Sequence, residues 1–175
     1  MRAASRAIEL DPLREDGWLN LGQQYRVARN YDAAFDAYQH AQTLAGSETP
    51  LIAYERALAY IAMGNPQRAL DVSLSGSGWT QMECRAIALH ALGRPHDAEQ
   101  TLAELVKADD RYGFNYVYAE IFAQWRQPEE ALRWLTRAKE VHDSGLSIIK
   151  FDPMMDPIRQ QPSFKAIVAS LNFPD

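Results

Sequence analysis

A chain of 175 residues, 47% of them hydrophobic and 23% charged, is long enough to bury one core and has the balance of an ordinary globular protein. Eighteen Lys and Arg stand against 23 Asp and Glu, a formal net charge of −5 with the positive charges scattered, which argues against a nucleic-acid surface. No apolar stretch approaches the roughly eighteen residues of a membrane span, MRAASRAIEL lacks the apolar region of a signal peptide, and one cysteine, Cys84, allows no internal disulfide, so the expected location is the cytoplasm.

Residues 1–12 read as the close of a helix pair whose first helix is missing, with residues 2–9 as its second helix. Four pairs of helices then follow, over 13–47, 48–77, 78–110 and 111–143. The last three turn at the related stretches GNPQRAL (64–70), GRPHDAE (93–99) and RQPEEAL (126–132). Pro66, Pro95 and Pro128 suit the first turn of a helix, where the N–H that proline lacks has no intrahelical partner, and the residues just before them close the preceding helix. In the first pair RNYDAAF supplies the turn, with Tyr31 standing where the prolines stand elsewhere.

Each pair carries two small residues twelve positions apart: Gly22 and Ala34, Ala57 and Ala69, Ala86 and Ala98, Ala119 and Ala131. Small side chains on both helices let the backbones approach, and a large residue three positions on (Tyr25, Tyr60, Leu89, Phe122) fills the space beside the contact. The second pair is short. LSGSGW (74–79) falls where its second helix would still be running, so that helix is expected to stop near Leu74.

Trp18, Leu21, Gly22 and Tyr25, followed by Ala34, Tyr38 and Ala41, closely resemble the tetratricopeptide repeat, which recurs about every 34 residues. The resemblance implies an all-α fold: a right-handed superhelix, or α-solenoid, of antiparallel helix hairpins. The later pairs keep the small-residue spacing but not the Trp and Leu positions; Trp79 and Tyr112 begin or occupy first helices instead.

Residues 144–175 change character. Asp152-Pro153 and Asp156-Pro157 are turn or helix-start signals, and SFKAIVASL places Phe164, Ile167, Val168 and Leu171 at helical spacing, giving a C-terminal helix able to cover the open end of the last hairpin. Asp152, Pro153, Asp156, Pro157, Arg159, Pro162 and Phe164 resemble the terminal segment that follows tetratricopeptide repeats in bacterial proteins fused to nucleotide cyclases or winged-helix regulators. Ser163 departs from the usual Arg of that pattern.

Function is expected on the concave groove that first helices line in such a fold. Helical spacing around the small residues assigns it Leu19, Gln23 and Arg26 from the first pair, Tyr54, Leu58 and Ile61 from the second, Glu83, Ile87 and His90 from the third, and Tyr116 and Glu120 from the fourth. Two readings stay open at several of these: Tyr54 and Tyr116 pack between hairpins or touch a ligand, Arg26 meets a neighbouring acid or a partner, and His90 bonds locally or binds. Some relatives grip a peptide carboxylate here with Lys, Arg and Asn; Glu55, Glu83 and Glu120 oppose that. A hydrophobic peptide or helix with a basic residue fits better. The partner is a protein or peptide, whether from another molecule, the chain's own effector domain or another copy.

Catalysis finds little support. Cys84 and His90 are six apart on one helix and do not face each other, His40, His96 and His142 have no ligand spacing to a cysteine or carboxylate cluster, and there is neither a phosphate-binding glycine loop nor a Gly-x-Ser-x-Gly motif. No metal or cofactor is expected. A non-catalytic interaction module, either the regulatory or scaffolding part of a larger bacterial signalling protein or a free-standing adaptor, is the reading.

Overall fold

The computed structural model of the protein describes residues 6, 8–75, 78–108 and 113–173. Among them all regular structure is helical: α1 Glu15–Val27, α2 Tyr31–Ala45, α3 Pro50–Ala62, α4 Pro66–Ser73, α5 Trp79–Ala91, α6 Pro95–Ala108, α7 Asn115–Gln124, α8 Pro128–Glu140 and α9 Pro162–Ser170, with 3-10 turns at Ser144–Ile148 and Pro153–Met155. Most of the helix expected over residues 2–9, and Tyr112 and the acidic pair Asp109-Asp110, lie outside the described residues; positions 8–10 are helical.

The helix starts follow from local chemistry. Pro50, Pro66, Pro128 and Pro162 occupy first-turn positions, and the side chains of Asn30, Thr49 and Asn65 accept from the otherwise unpaired N–H of Ala33, Ile52 and Arg68. The turns within pairs need one residue in the left-handed region. Gly64 and Gly93 supply it at φ 72° and 73°, whereas Arg29 and Arg126 hold the same turn position at 61° and 58° despite their side chains. The α4 helix ends at Ser73, where LSGSGW predicts the break.

Within each pair the two helices pack closely, and the first helices α1, α3, α5 and α7 also touch one another in chain order. All eight small residues of the twelve-residue spacing are buried. Gly22 shows why the position must be small: a Cβ built there would lie 2.3 Å from the ring of Tyr38, a side chain with no exposed surface.

The C-terminal segment does more than cap. Phe164 on α9 joins Ile149, Met155 and Ile158 in covering Ala131, Leu135 and Ala138 of the last hairpin, and Ile167, Val168 and Leu171 pack beside them half-buried. Burial of Phe164 or Leu135 contributes about 2 kcal/mol each. Ahead of α9, however, the chain turns inward, and Met154 enters a second cluster with Ala57, Leu58 and Cys84 on α3 and α5. The 152–156 turn thus lies against the first helices. Arg159 fastens it, its guanidinium donating to Asp156 and to the carbonyls of Lys150 and Asp152. Arg29 reaches Asp156 from the far end at 2.8 Å.

Candidate functional site

Five charged side chains meet where the 152–156 turn touches the first helices: Arg26 from α1, Glu55 from α3, Glu83 from α5, Glu120 from α7 and Asp152, each at most 4% exposed. Helical spacing assigns Arg26, Glu83 and Glu120 to one face, Glu55 joins them from α3, and the Asp152-Pro153 turn brings the fifth. The Arg26 Nε donates to Glu55 Oε2 at 3.0 Å, and its Nη1 lies 3.7 Å from Asp152 Oδ1. Glu55 also accepts from Gln23 at 2.6 Å and from the Tyr38 hydroxyl at 3.3 Å. Asp152 caps its own turn through the Met154 N–H at 3.0 Å and accepts from the Tyr116 hydroxyl at 2.9 Å. The Tyr54 hydroxyl donates to Glu83 Oε2 at 2.8 Å.

Four carboxyls share one guanidinium, and the protonation states follow from that imbalance. Burial by itself would lower the Arg26 pKa, but the charges of Glu55 and Asp152 outweigh it and hold the group firmly cationic. Glu83 has no comparable cation: burial pushes it up from 4.5 to about 8, opposed by hydrogen bonds from Tyr54 and Glu120. Burial, and then the negative charges of Glu83 and Asp152, raise Glu120 well above the carboxylate range, and its acid proton is shared with those two neighbours. At neutral pH the Glu83–Glu120 pair therefore keeps a proton. Burial also pushes the Cys84 thiol far up, leaving it an unreactive packing residue.

Above this cluster opens a cavity of about 860 Å³. Gln23, Arg26, Glu55, Leu58 and Glu120 line one part of it and Arg137, His142 and Asp143 another. Aromatic rings form its wall: Trp79 stacks on Phe114 with centroids 4.9 Å apart and meets Tyr54 edge-on at 5.8 Å, with Tyr116 alongside. Trp79 is 39% exposed. Asp143 shapes this end, accepting from the Gly145 N–H at 2.9 Å and the Tyr116 N–H at 3.1 Å. Gly145 lies so close to Tyr116 that a Cβ there would stand 2.5 Å from the ring.

Of the eleven residues that helical spacing assigns to the groove, six line this cavity: Gln23, Arg26, Tyr54, Leu58, Tyr116 and Glu120. The other five do not. Leu19 packs with Ala34, Tyr38 and Ile52, Ile87 sits in the core between the second, third and fourth pairs, His90 stacks on Trp125 at 5.0 Å, and Glu83 lies wholly buried against Tyr54. Ile61, also assigned to this face, packs against the core clusters. Leu19, Ile87 and His90 turn into the packing between neighbouring helices instead. Arg26 takes the structural one of its two readings, paired with Glu55. Tyr54 and Tyr116 do both jobs: each hydroxyl serves the buried cluster and each side chain lines the cavity.

Spacing does not assign Glu55, Trp79, Phe114 or Asp152 to the site. A signal was available for the first: Glu55, Glu83 and Glu120 fall within three residues of the small residues Ala57, Ala86 and Ala119 on three successive first helices. Among the described residues no group of three or more His, Cys, Asp or Glu is arranged to hold a metal ion, and no helix is long and apolar enough to cross a membrane. Compared with protein-family models, with curated proteins and with solved structures, the chain matches none.

Proposed function

We propose that the protein is a non-catalytic interaction module of tetratricopeptide type, a right-handed superhelix whose concave side seats a peptide or helix from a protein partner. The observation that carries this reading is the cavity of about 860 Å³, walled by Tyr54, Trp79, Phe114 and Tyr116 and set with a few polar groups. Concave sites with aromatic walls and sparse, fixed polar groups are the usual form of binding pockets, and exposed aromatics are the commonest anchors of protein interfaces. The Cys84 thiol is buried and its pKa pushed far up, so it is not an activated nucleophile. The likeness of Asp152 to Phe164 to the terminal segments of bacterial signalling proteins makes a regulatory or scaffolding part of such a protein, working in the cytoplasm, the preferred setting.

The test is selection of binders from a displayed library of random peptides, followed by titration of the selected peptide against the intact chain and against Trp79→Ala. Loss of an aromatic anchor should weaken binding by about 1–3 kcal/mol with helical content unchanged. Peptides that bind Trp79→Ala and the intact protein equally would remove the cavity as the binding site, and a library yielding no binder would remove the reading.

A further inference from the structure

We propose that the occupant of this cavity presents a lysine or arginine side chain, whose cation seats on Glu120 between the aromatic walls. The inference rests on the peptide-binding reading and adds the chemistry of the residue recognised.

The charge inventory of the site points this way. Arg26 is the one cation in the buried cluster, and it is engaged by Glu55 and Asp152. Glu55 is further satisfied by Gln23 and Tyr38, and Asp152 by Tyr116 and Met154. Among the described residues neither Glu83 nor Glu120 has a cation within ion-pair distance. Glu83 has no exposed surface, and its Oε1 has no hydrogen-bond partner among the described residues. A buried carboxyl oxygen without a donor is rare and calls for an explanation. Here a proton substitutes for a missing positive charge.

The surroundings are suited to a cation on an aliphatic stem. Glu120 lines the cavity directly, and Glu83 stands immediately behind it and Tyr54. Trp79, Phe114, Tyr54 and Tyr116 line the cavity, and aromatic rings give apolar surface to an alkyl chain and attract a cation, most when it is desolvated. An anionic occupant would meet the carboxyls of Glu55, Glu120 and Asp143, which line the cavity, with Arg26 already paired to Glu55 and Asp152. Arg137 and His142 also line the cavity, beside Asp143, and Arg137 is itself 2.8 Å from Glu140.

Exchange of a proton for a cation has a thermodynamic signature. A lysine ammonium stays charged to about pH 10, so the only group that must titrate is the Glu83–Glu120 pair. Binding should release about one proton at pH 7, and affinity should rise as pH increases towards 8. The rise should persist in His142→Asn.

The experiment uses blocked heptapeptide pools with lysine, arginine, norleucine or glutamate fixed at the centre, with cadaverine as a free-amine arm, titrated calorimetrically at pH 7 and pH 8 in buffers of different ionisation enthalpy. The lysine and arginine pools should bind at least tenfold more tightly than the norleucine and glutamate pools, releasing about one proton. Glu120→Gln, which mimics the protonated carboxyl and so keeps the fold, should abolish both the preference and the proton release. Pools that bind at Trp79 but favour norleucine or glutamate overturn the cation while leaving the peptide groove standing. A basic pool binding without proton release, or unaffected by Glu120→Gln, also overturns it. Cadaverine binding as tightly as the lysine pool overturns the assignment to a side chain. No binding by any pool removes the inference together with the reading it rests on.

Discussion

The Tyr116 hydroxyl donates to the Asp152 carboxylate at 2.9 Å, joining the last first helix to the C-terminal turn across 36 residues of sequence. That bond fixes one wall of the cavity and holds a fully buried acid in place. Tyr116→Phe removes the donor and keeps the ring, leaving Asp152 with the Met154 N–H and the more distant Arg26. Urea unfolding should show a loss of about 1–3 kcal/mol. A change under a few tenths of a kcal/mol would mean that the contact adds nothing to the docking of the turn.

Gly22 tests the packing of the first pair. An added methyl collides with the Tyr38 ring, which has no free volume to move into and whose hydroxyl is held by Glu55. Gly22→Ala gains helix propensity of about 1 kcal/mol, but overpacking of a tight core contact costs typically 1–3 kcal/mol. The net expectation is a lower melting temperature. A higher one would show that α1 and α2 sit further apart.

Glu83 gives a pH dependence with a definite sign. Its folded pKa is raised to about 8 from 4.5, so the folded protein holds a proton that the unfolded chain releases. Stability from this group is fully present below about pH 4.5, declines as pH rises, and is lost once pH passes about 8. Glu83→Gln carries no titrating proton. Its melting temperature should fall less than that of the parent between pH 5 and pH 8, and parallel curves would contradict the buried, protonated state.

Deleting residues 144–175 removes Met154 from Ala57, Leu58 and Cys84, and Phe164, Ile158 and Met155 from Leu135 and Ala138. Two apolar surfaces and the Arg26 cluster would meet water together. Light scattering should report aggregation, or calorimetry a large fall in melting temperature. A monomeric, equally stable truncation would make the segment an appendage.

Much of the fold is legible in the sequence because its constraints are local. A proline in the first helical turn recurs in the last three pairs, a residue able to take positive φ just before that turn and small residues where two backbones touch recur in all four, and LSGSGW marks the short helix by itself. The site is legible only in part. Periodicity says which side of a helix faces the interior; it does not say what fills that interior. Leu19, Ile87 and His90 lie on the right helices but are spent on packing. Asp152 reads as a turn former, and only tertiary placement carries its carboxylate to Arg26 and Tyr116. Trp79 and Phe114 flank loops rather than continue a repeat pattern, so no spacing brings them to Tyr54.

The central claim is that a peptide partner occupies the cavity beside Trp79. A photo-crosslinking amino acid at position 79, with a second protein labelled at the exposed Gln100 on α6, tests it most directly. Irradiation with a selected peptide should capture it from position 79 and not from position 100. Capture from position 100 with none from position 79 would contradict the account.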